Sequence, residues 1–277
     1  MSRFRTRALP AAFIVFAAAA CAVPDASGDP AAESADSGAE PVGGPSTLAQ
    51  LLSDGHAIFG TFPGPTTREQ GALMGQNREL DFVFYSLESG PFDIMSTKVY
   101  MEGIAEGSGE EAAHPLILRI PPIRNGVTEA EAHAAEALAA GVGGIVFPHA
   151  ESAEDAAVAV SVMGGDLWPG NSAGTLLSIL IVEDAEAVDR LDEIVATPGV
   201  SVVFAGPGDL RRAYQGDMEA VEAAIQQVLA ACQRHGVPCG ITAGVDDIAG
   251  RIEQGFRVFI VSDPAAVTVG RGAAGRG

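Results

Sequence analysis

From residue 46 onward, short strand-like runs alternate with amphipathic helical patterns almost without interruption, and few folds satisfy that order. The strand-like runs are 56–62, 81–86, 116–121, 144–149, 176–183, 200–205, 238–242 and 256–262. Helical patterns occupy 67–77, 92–105, 128–140, 153–163, 185–196, 218–235 and 246–254. Thr128 and Ser152 carry acids in the turn that follows, as helix starts do, and Gly141, Gly199, Gly236 and Gly255 sit just past helix ends. Parallel strands need crossover connections, which these helices supply. Eight strands and seven helices in about 230 residues predict one (β/α)8 TIM barrel spanning 46–277. A doubly wound open sheet is the competitor, but no G-x-G-x-x-G follows the first strand. After the last strand only residues 263–269 and a Gly/Arg tail remain, so the final helix is expected to be deficient. An apolar strand face would then be left for N-terminal residues or a second copy to cover, which predicts a homo-oligomer.

The first 45 residues stand apart from this pattern. Arg3, Arg5 and Arg7 precede an apolar run from Ala8 to Ala20, and Cys21 follows. A basic start, a short apolar stretch and small residues before a cut site describe a signal peptide over 1–20. The run is too short to span a bilayer. Ala18-Ala19-Ala20-Cys21 resembles a bacterial lipobox, so the expectation is an exported protein of the periplasm or cell envelope, lipid-anchored at Cys21. Simple cleavage near Ala20 is the alternative. Residues 21–45 are rich in Ala, Gly, Pro, Ser and acids, which suits a disordered linker.

The chain has 16 basic and 36 acidic residues, a net charge of −20; loss of the three leader arginines takes it to −23. Such a balance excludes nucleic acid and an anionic membrane surface as partners. Cys232 and Cys239 have a spacing that does not establish disulfide geometry, and they read as two small buried residues.

In a (β/α)8 barrel, chemistry sits at the C-terminal strand ends. The fifth run ends in Glu183 and the sixth leads through Val202-Val203-Phe204-Ala205-Gly206-Pro207-Gly208 to Asp209. Adjacent parallel strands bring these carboxylates to one mouth, where they can share Mg²⁺ or Mn²⁺. Each also has a plainer reading, Glu183 as a helix cap and Asp209 as a turn residue. Arg119 lies between Leu118 and Ile120 at the end of the third run, either in the site or in a rim salt bridge. His149 ends the fourth run on the same face, as a candidate base or as a cap for the next helix. His56 opens the first run at the opposite end, and His114, His133 and His235 are expected at the solvent.

Four segments, in register, carry a wider likeness: Leu118-Arg119-Ile120-Pro121, the stretch 144–156, Glu183-Asp184-Ala185-Glu186-Ala187-Val188 leading to Leu191-Asp192-Glu193-Ile194, and Gly206-Pro207-Gly208-Asp209-Leu210. Their order resembles the HpcH/HpaI-type aldolases of the citrate lyase β superfamily, over about residues 60 to 263. The resemblance implies that Glu183 and Asp209 bind a divalent metal together with a pyruvate-like 2-oxo acid. It implies that Arg119 holds the keto or enolate oxygen, and that the Gly208 and Asp209 amides lie near the substrate carboxylate. Metal and guanidinium would stabilise the charge that develops when a carbon–carbon bond beside a carbonyl breaks. A Schiff-base route needs a lysine in the site, and the one lysine, Lys98, falls within a helical pattern.

Two departures from the family pattern stand out. The Asp and the Glu-His pair usual after the second strand read here as Ser86, Glu88 and Ser89, so the Asp–His dyad that takes the hydroxyl proton is missing. The family loop before the fifth strand is replaced by Leu167-Trp168-Pro169-Gly170-Asn171-Ser172-Ala173-Gly174. Neutral serine is a poor base, and loss of general-base help typically costs about 10²–10⁴-fold in rate. Two functions follow: an exported metal-dependent carbon–carbon lyase with a different base, or a non-catalytic protein that binds metal and oxo acid.

Overall fold

The computed structural model describes residues 47–277. The expected leader, Cys21 and linker lie outside the described residues. Eight parallel strands close into a barrel: β1 (Ile58–Thr61), β2 (Phe82–Ser86), β3 (Leu116–Arg119), β4 (Gly144–Phe147), β5 (Leu176–Val182), β6 (Val202–Ala205), β7 (Cys239–Thr242) and β8 (Val258–Val261). β1 pairs with both β2 and β8, and β4 pairs with β5, so the ring has no open edge. The (β/α)8 expectation holds. A two-residue strand, Leu167–Trp168, is appended beside the start of β5.

Strand residues alternate between two cores, as the two-residue period requires. Leu177, Ile179 and Ile181 of β5 fill the barrel interior with Phe82, Phe84, Ile117, Val146, Phe204 and Ile260. Leu180 and Val182 face the outer helices instead. Large and small residues are matched across neighbouring strands. Phe204 lies against Gly240, where an added Cβ would sit 2.3 Å from its ring.

The outer layer runs α2 (Arg68–Gln76), α3 (Ile94–Ser108), α4 (Val127–Ala140), α5 (Ala153–Ser161), α6 (Ala185–Val188), α7 (Leu191–Val195), α8 (Pro207–Ala213), α9 (Met218–His235), α10 (Ile248–Gln254) and α11 (Ala265–Ala273). The single helix expected over 185–196 is broken at Asp189 and Arg190 into α6 and α7. One further helix, α1 (Leu48–Ser53), is capped by Thr47 and buries Leu48, Ala49 and Leu52 with the barrel interior. It seals the N-terminal end.

The expected deficiency of the final helix is corrected. α11 continues through Gly270, Arg271 and Gly272 and buries Ala266, Val267 and Gly270. Gly270 is needed because a Cβ there would stand 2.5 Å from the Phe59 ring of β1. The arginines read as a loose tail are anchored: Arg276 forms ion pairs with Asp81 at 2.7 and 2.8 Å, and Arg271 bonds the Glu79 carbonyl at 3.1 Å. The uncovered strand face that motivated self-association is therefore covered by α11. Cys232 and Cys239 are free and buried, as expected. No described helix is long and apolar enough to cross a membrane.

Candidate active site

The inward rows of the strands lead directly to the site. In β5 the row Leu177, Ile179, Ile181 continues to Glu183, which is 2% exposed. In β3 the row continues from Ile117 to Arg119, and in β2 from Phe82 and Phe84 to Ser86. Arg119 and Ser86 are register partners, and the arginine Nε donates to Ser86 Oγ at 3.0 Å. Its Nη2 meets Glu88 Oε2 at 2.9 Å, and the guanidinium lies 5.4 Å from the Phe84 ring centroid. Arg119 thus points into the mouth while taking part in a salt bridge there.

His149 does not cap the next helix; Ser152 does, accepting from the Asp155 amide at 3.1 Å. His149 has φ of 52°, in the left-handed region that non-glycine residues seldom adopt. Its amide donates to Glu183 Oε1 at 3.1 Å and its Nδ1 lies 2.7 Å from Asp184 Oδ2. Its Nε2 is 3.9 Å from Glu88 Oε1. Asp184 is also 3.6 Å from Arg124, which pairs with Glu151 at 2.6 Å.

Asp209 is not a strand-end residue. It occupies the first turn of α8, four positions after β6, and pairs with Arg212. The first intrahelical bond there is from the Leu210 amide to the Gly206 carbonyl, so the Gly208 and Asp209 amides have no partner within the helix. Glu88, Ser89, Arg119, Pro122, Asn125, His149, Asp209 and Arg212 line an open cavity of about 450 Å³. Glu183 does not line it but lies beneath, its ligand atom within 4.8 Å of those of Glu88 and His149, and a Cβ at Gly206 would stand 2.6 Å from its Oε2.

The electrostatics single out Glu183. Burial pushes its carboxyl up to about 7; the His149 imidazole and amide oppose the rise, and Asp209 and Glu88 add to it. Among the described residues no arginine or lysine comes within 4.0 Å of it. Glu88, His149 and Glu183 each offer a ligand atom, all within 4.8 Å of one another. A divalent cation fits such a place, because it would neutralise a buried carboxylate crowded by two others.

Several other residues are clear of this mouth. Lys98 lies on α3 in the outer layer, and the Leu167–Trp168 strand pairs with the first residues of β5, at the closed end. The altered loop therefore does not touch the site. His114 is buried and not at the solvent, with Nε2 2.9 Å from the Asn77 carbonyl and its pKa lowered by burial. His133 is half-buried and stacks on Phe92 at 3.9 Å. Glu88 and Asp184 were not among the expected site residues. Glu88 is two positions beyond Ser86 along an inward row, and Asp184 directly follows Glu183, so strand parity and adjacency were the available signals.

Residues 107–260 match the sequence model of the HpcH/HpaI aldolase/citrate lyase family. The chain is 30% identical over 160 residues to a 2-dehydro-3,6-dideoxy-6-sulfogluconate aldolase of Pseudomonas putida, covering 49% of this chain and 63% of that one. It is 33% identical over 139 residues to a 5-keto-4-deoxy-D-glucarate aldolase of Klebsiella pneumoniae, covering 42% and 54%. The chain thus spans between half and two thirds of the length of these two relatives. A solved HpcH/HpaI aldolase/citrate lyase family protein of Burkholderia cenocepacia superposes with a TM-score of 0.66 at 24% identity, over 80% of this chain and 94% of that one. Family match, closed barrel and a carboxylate–arginine mouth agree, and the chain belongs to the HpcH/HpaI aldolase/citrate lyase family.

Proposed function

We propose that this protein is an exported, divalent-metal-dependent carbon–carbon lyase acting on a small 2-oxo acid of the pyruvate type. The observation that carries the reading is the buried Glu183 carboxylate, which shares one mouth with Asp209 and Arg119. Glu183 and Asp209 would hold Mg²⁺ or Mn²⁺, and the ion when bound supplies Lewis-acid polarisation of the substrate carbonyl. Arg119 supplies a charge-assisted hydrogen bond to the oxygen that gains negative charge as the carbon–carbon bond breaks. The Gly208 and Asp209 amides suit the substrate carboxylate. His149 is the candidate for the hydroxyl proton, with Asp184 fixing its ring through Nδ1. The test is pyruvate release across a panel of hydroxy-oxo acids, with and without added metal. Metal-dependent release lost in Glu183→Ala supports the reading; a protein that binds no pyruvate in the presence of metal overturns it.

A non-catalytic oxo-acid binding protein is the second reading, favoured by neutral Ser86 and Ser89 and by the Glu88 carboxylate that already occupies Arg119. Exchange of pyruvate methyl protons with solvent separates the two. Export with Cys21 as a lipid anchor is supported only by the leader sequence. Stable anchoring takes more than one acyl chain, so Cys21→Ser should move the protein from the membrane to the soluble fraction. Self-association is a proposal that has lost its sequence motive, since α11 covers the strand face, and light scattering tests it.

A further inference from the structure

The reading above gives the cation two carboxylates, an all-oxygen donor set. We infer that His149 supplies a nitrogen ligand, completing a Glu88–His149–Glu183 site that prefers a borderline transition ion to magnesium. The inference rests on the proposed divalent-metal reading, changes which residues and which ion that reading involves, and takes His149 out of the base role given to it there.

Three observations carry it. The ligand atoms of Glu88, His149 and Glu183 lie within 4.8 Å of one another, and bonds of about 2.0–2.2 Å to a shared ion allow ligand pairs up to about 4.4 Å apart. Side-chain shifts, with a turn of the ring that brings Nε2 toward Glu183, close that difference. Second, Asp184 meets Nδ1 at 2.7 Å, so a proton held at Nδ1 leaves the Nε2 lone pair free. Nε2 and Glu88 Oε1 stand 3.9 Å apart, too far for a hydrogen bond and suited to an ion between them. A carboxylate on the distal nitrogen is the usual way an imidazole ligand is oriented. Third, Glu183 is 2% exposed and no described arginine or lysine reaches it; this imidazole is its basic neighbour among the described residues, with Nδ1 3.6 Å from Oε1.

His149 is also turned toward the mouth by its backbone. Continued alternation from Val146, which faces the barrel interior, would send residue 149 outward. The positive φ and the 3.1 Å bond from its amide to Glu183 bring the ring to the carboxylates instead. Carboxylate and water ligands suit magnesium, whereas an imidazole shifts preference toward Co²⁺, Zn²⁺ and their neighbours.

The test is metal binding by the full chain, independent of turnover. Metal-stripped protein is titrated calorimetrically with Mg²⁺, Mn²⁺, Co²⁺ and Zn²⁺, and bound Mn²⁺ is examined by pulsed EPR. The expected result is tighter binding of Co²⁺ and Zn²⁺ than of Mg²⁺, with histidine nitrogen modulation on Mn²⁺. His149→Gln should abolish that modulation and lower Co²⁺ affinity about 100-fold while changing Mg²⁺ affinity little. Asp184→Asn, which removes the positioning carboxylate, should lower Co²⁺ affinity about 10–100-fold. Mn²⁺ that binds the parent without nitrogen modulation overturns the inference and leaves the metal-dependent reading standing. Failure to bind any of the four ions overturns both. The parent's EPR signature does not depend on any variant folding.

Discussion

The two ends of this barrel are built by the same strands and treat their interior rows in opposite ways. At the N-terminal end the rows begin among apolar side chains, and α1 presses Leu48, Ala49 and Leu52 into them. At the C-terminal end the same rows run out into Ser86, Arg119, Glu183 and Gly206, with hydrogen bonds and ion pairs in place of packing. One end is closed by burying hydrocarbon; the other is held open by charges that cannot be packed away. Stability and chemistry should therefore separate along the barrel axis, and mutations should show it.

The largest effect is expected at the closed end. Leu52→Ala removes a buried side chain and leaves a cavity under α1, which should cost about 2–5 kcal/mol in unfolding free energy. Urea denaturation measures that loss, and cation affinity measured by calorimetry should stay within about twofold. A variant that loses cation binding while still folded would break the separation.

Glu183 tests the open end through pH. Its ordinary carboxyl value of 4.5 applies in the unfolded chain and about 7 in the folded one. Between those values the folded chain keeps a proton that the unfolded chain has released, so this group's effect on stability turns unfavourable as pH rises. The penalty is absent below 4.5 and complete above 7, where it reaches about 3 kcal/mol. Without metal, Glu183→Gln should be more stable than the parent at pH 8 and closely matched at pH 4. Thermal unfolding across that range checks the sign. A saturating divalent ion should raise the parent's Tm most at high pH and leave the variant's unchanged.

How much of this could be read in the chain follows from the same contrast. The eight strands were legible because each is a short run rich in β-branched, aromatic or other apolar residues, and the inward parity that ends in Glu183 and Arg119 is already present in 177–183 and 117–119. α1 was missed because six residues give no helical period to read. α11 was underestimated because Gly270 answers to Phe59, more than 200 residues away in sequence, and Arg271 and the Arg276 that follows the helix answer to Asp81. At the site, Asp209 was placed on a strand end because Pro207 and Gly208 resemble a turn, whereas Pro207 opens α8. His149 could be read only as a residue near the mouth. Its ring is aimed by a positive φ and by Asp184, and neither leaves a periodic trace.

A smaller effect concerns recognition. Arg119→Ala removes the guanidinium and leaves Glu88 without its ion-pair partner, so pyruvate binding in the presence of metal should weaken by about 1.5–3 kcal/mol. Equilibrium dialysis with labelled pyruvate measures it, and unfolding free energy should move by less than the change at Leu52. Unchanged pyruvate affinity would mean that Arg119 serves the salt bridge alone.

The smallest change is at Arg212, the most exposed charged group on the rim of the mouth. It pairs with Asp209 across one turn of α8, and its side chain is 77% exposed. A solvated pair of that kind contributes about 0–1 kcal/mol, so Arg212→Ala should barely alter unfolding in urea. The variant nonetheless removes a positive charge from a cavity that is proposed to take a cation, and it frees the Asp209 carboxylate. Divalent-ion affinity should rise severalfold, in the opposite direction to Asp209→Asn, which should lower it. Calorimetry on the two variants beside the parent reads both signs. If Arg212→Ala weakens ion binding, the pair must hold Asp209 in place for the ion, and the open end then relies on its surface pairs for geometry as the closed end relies on packing.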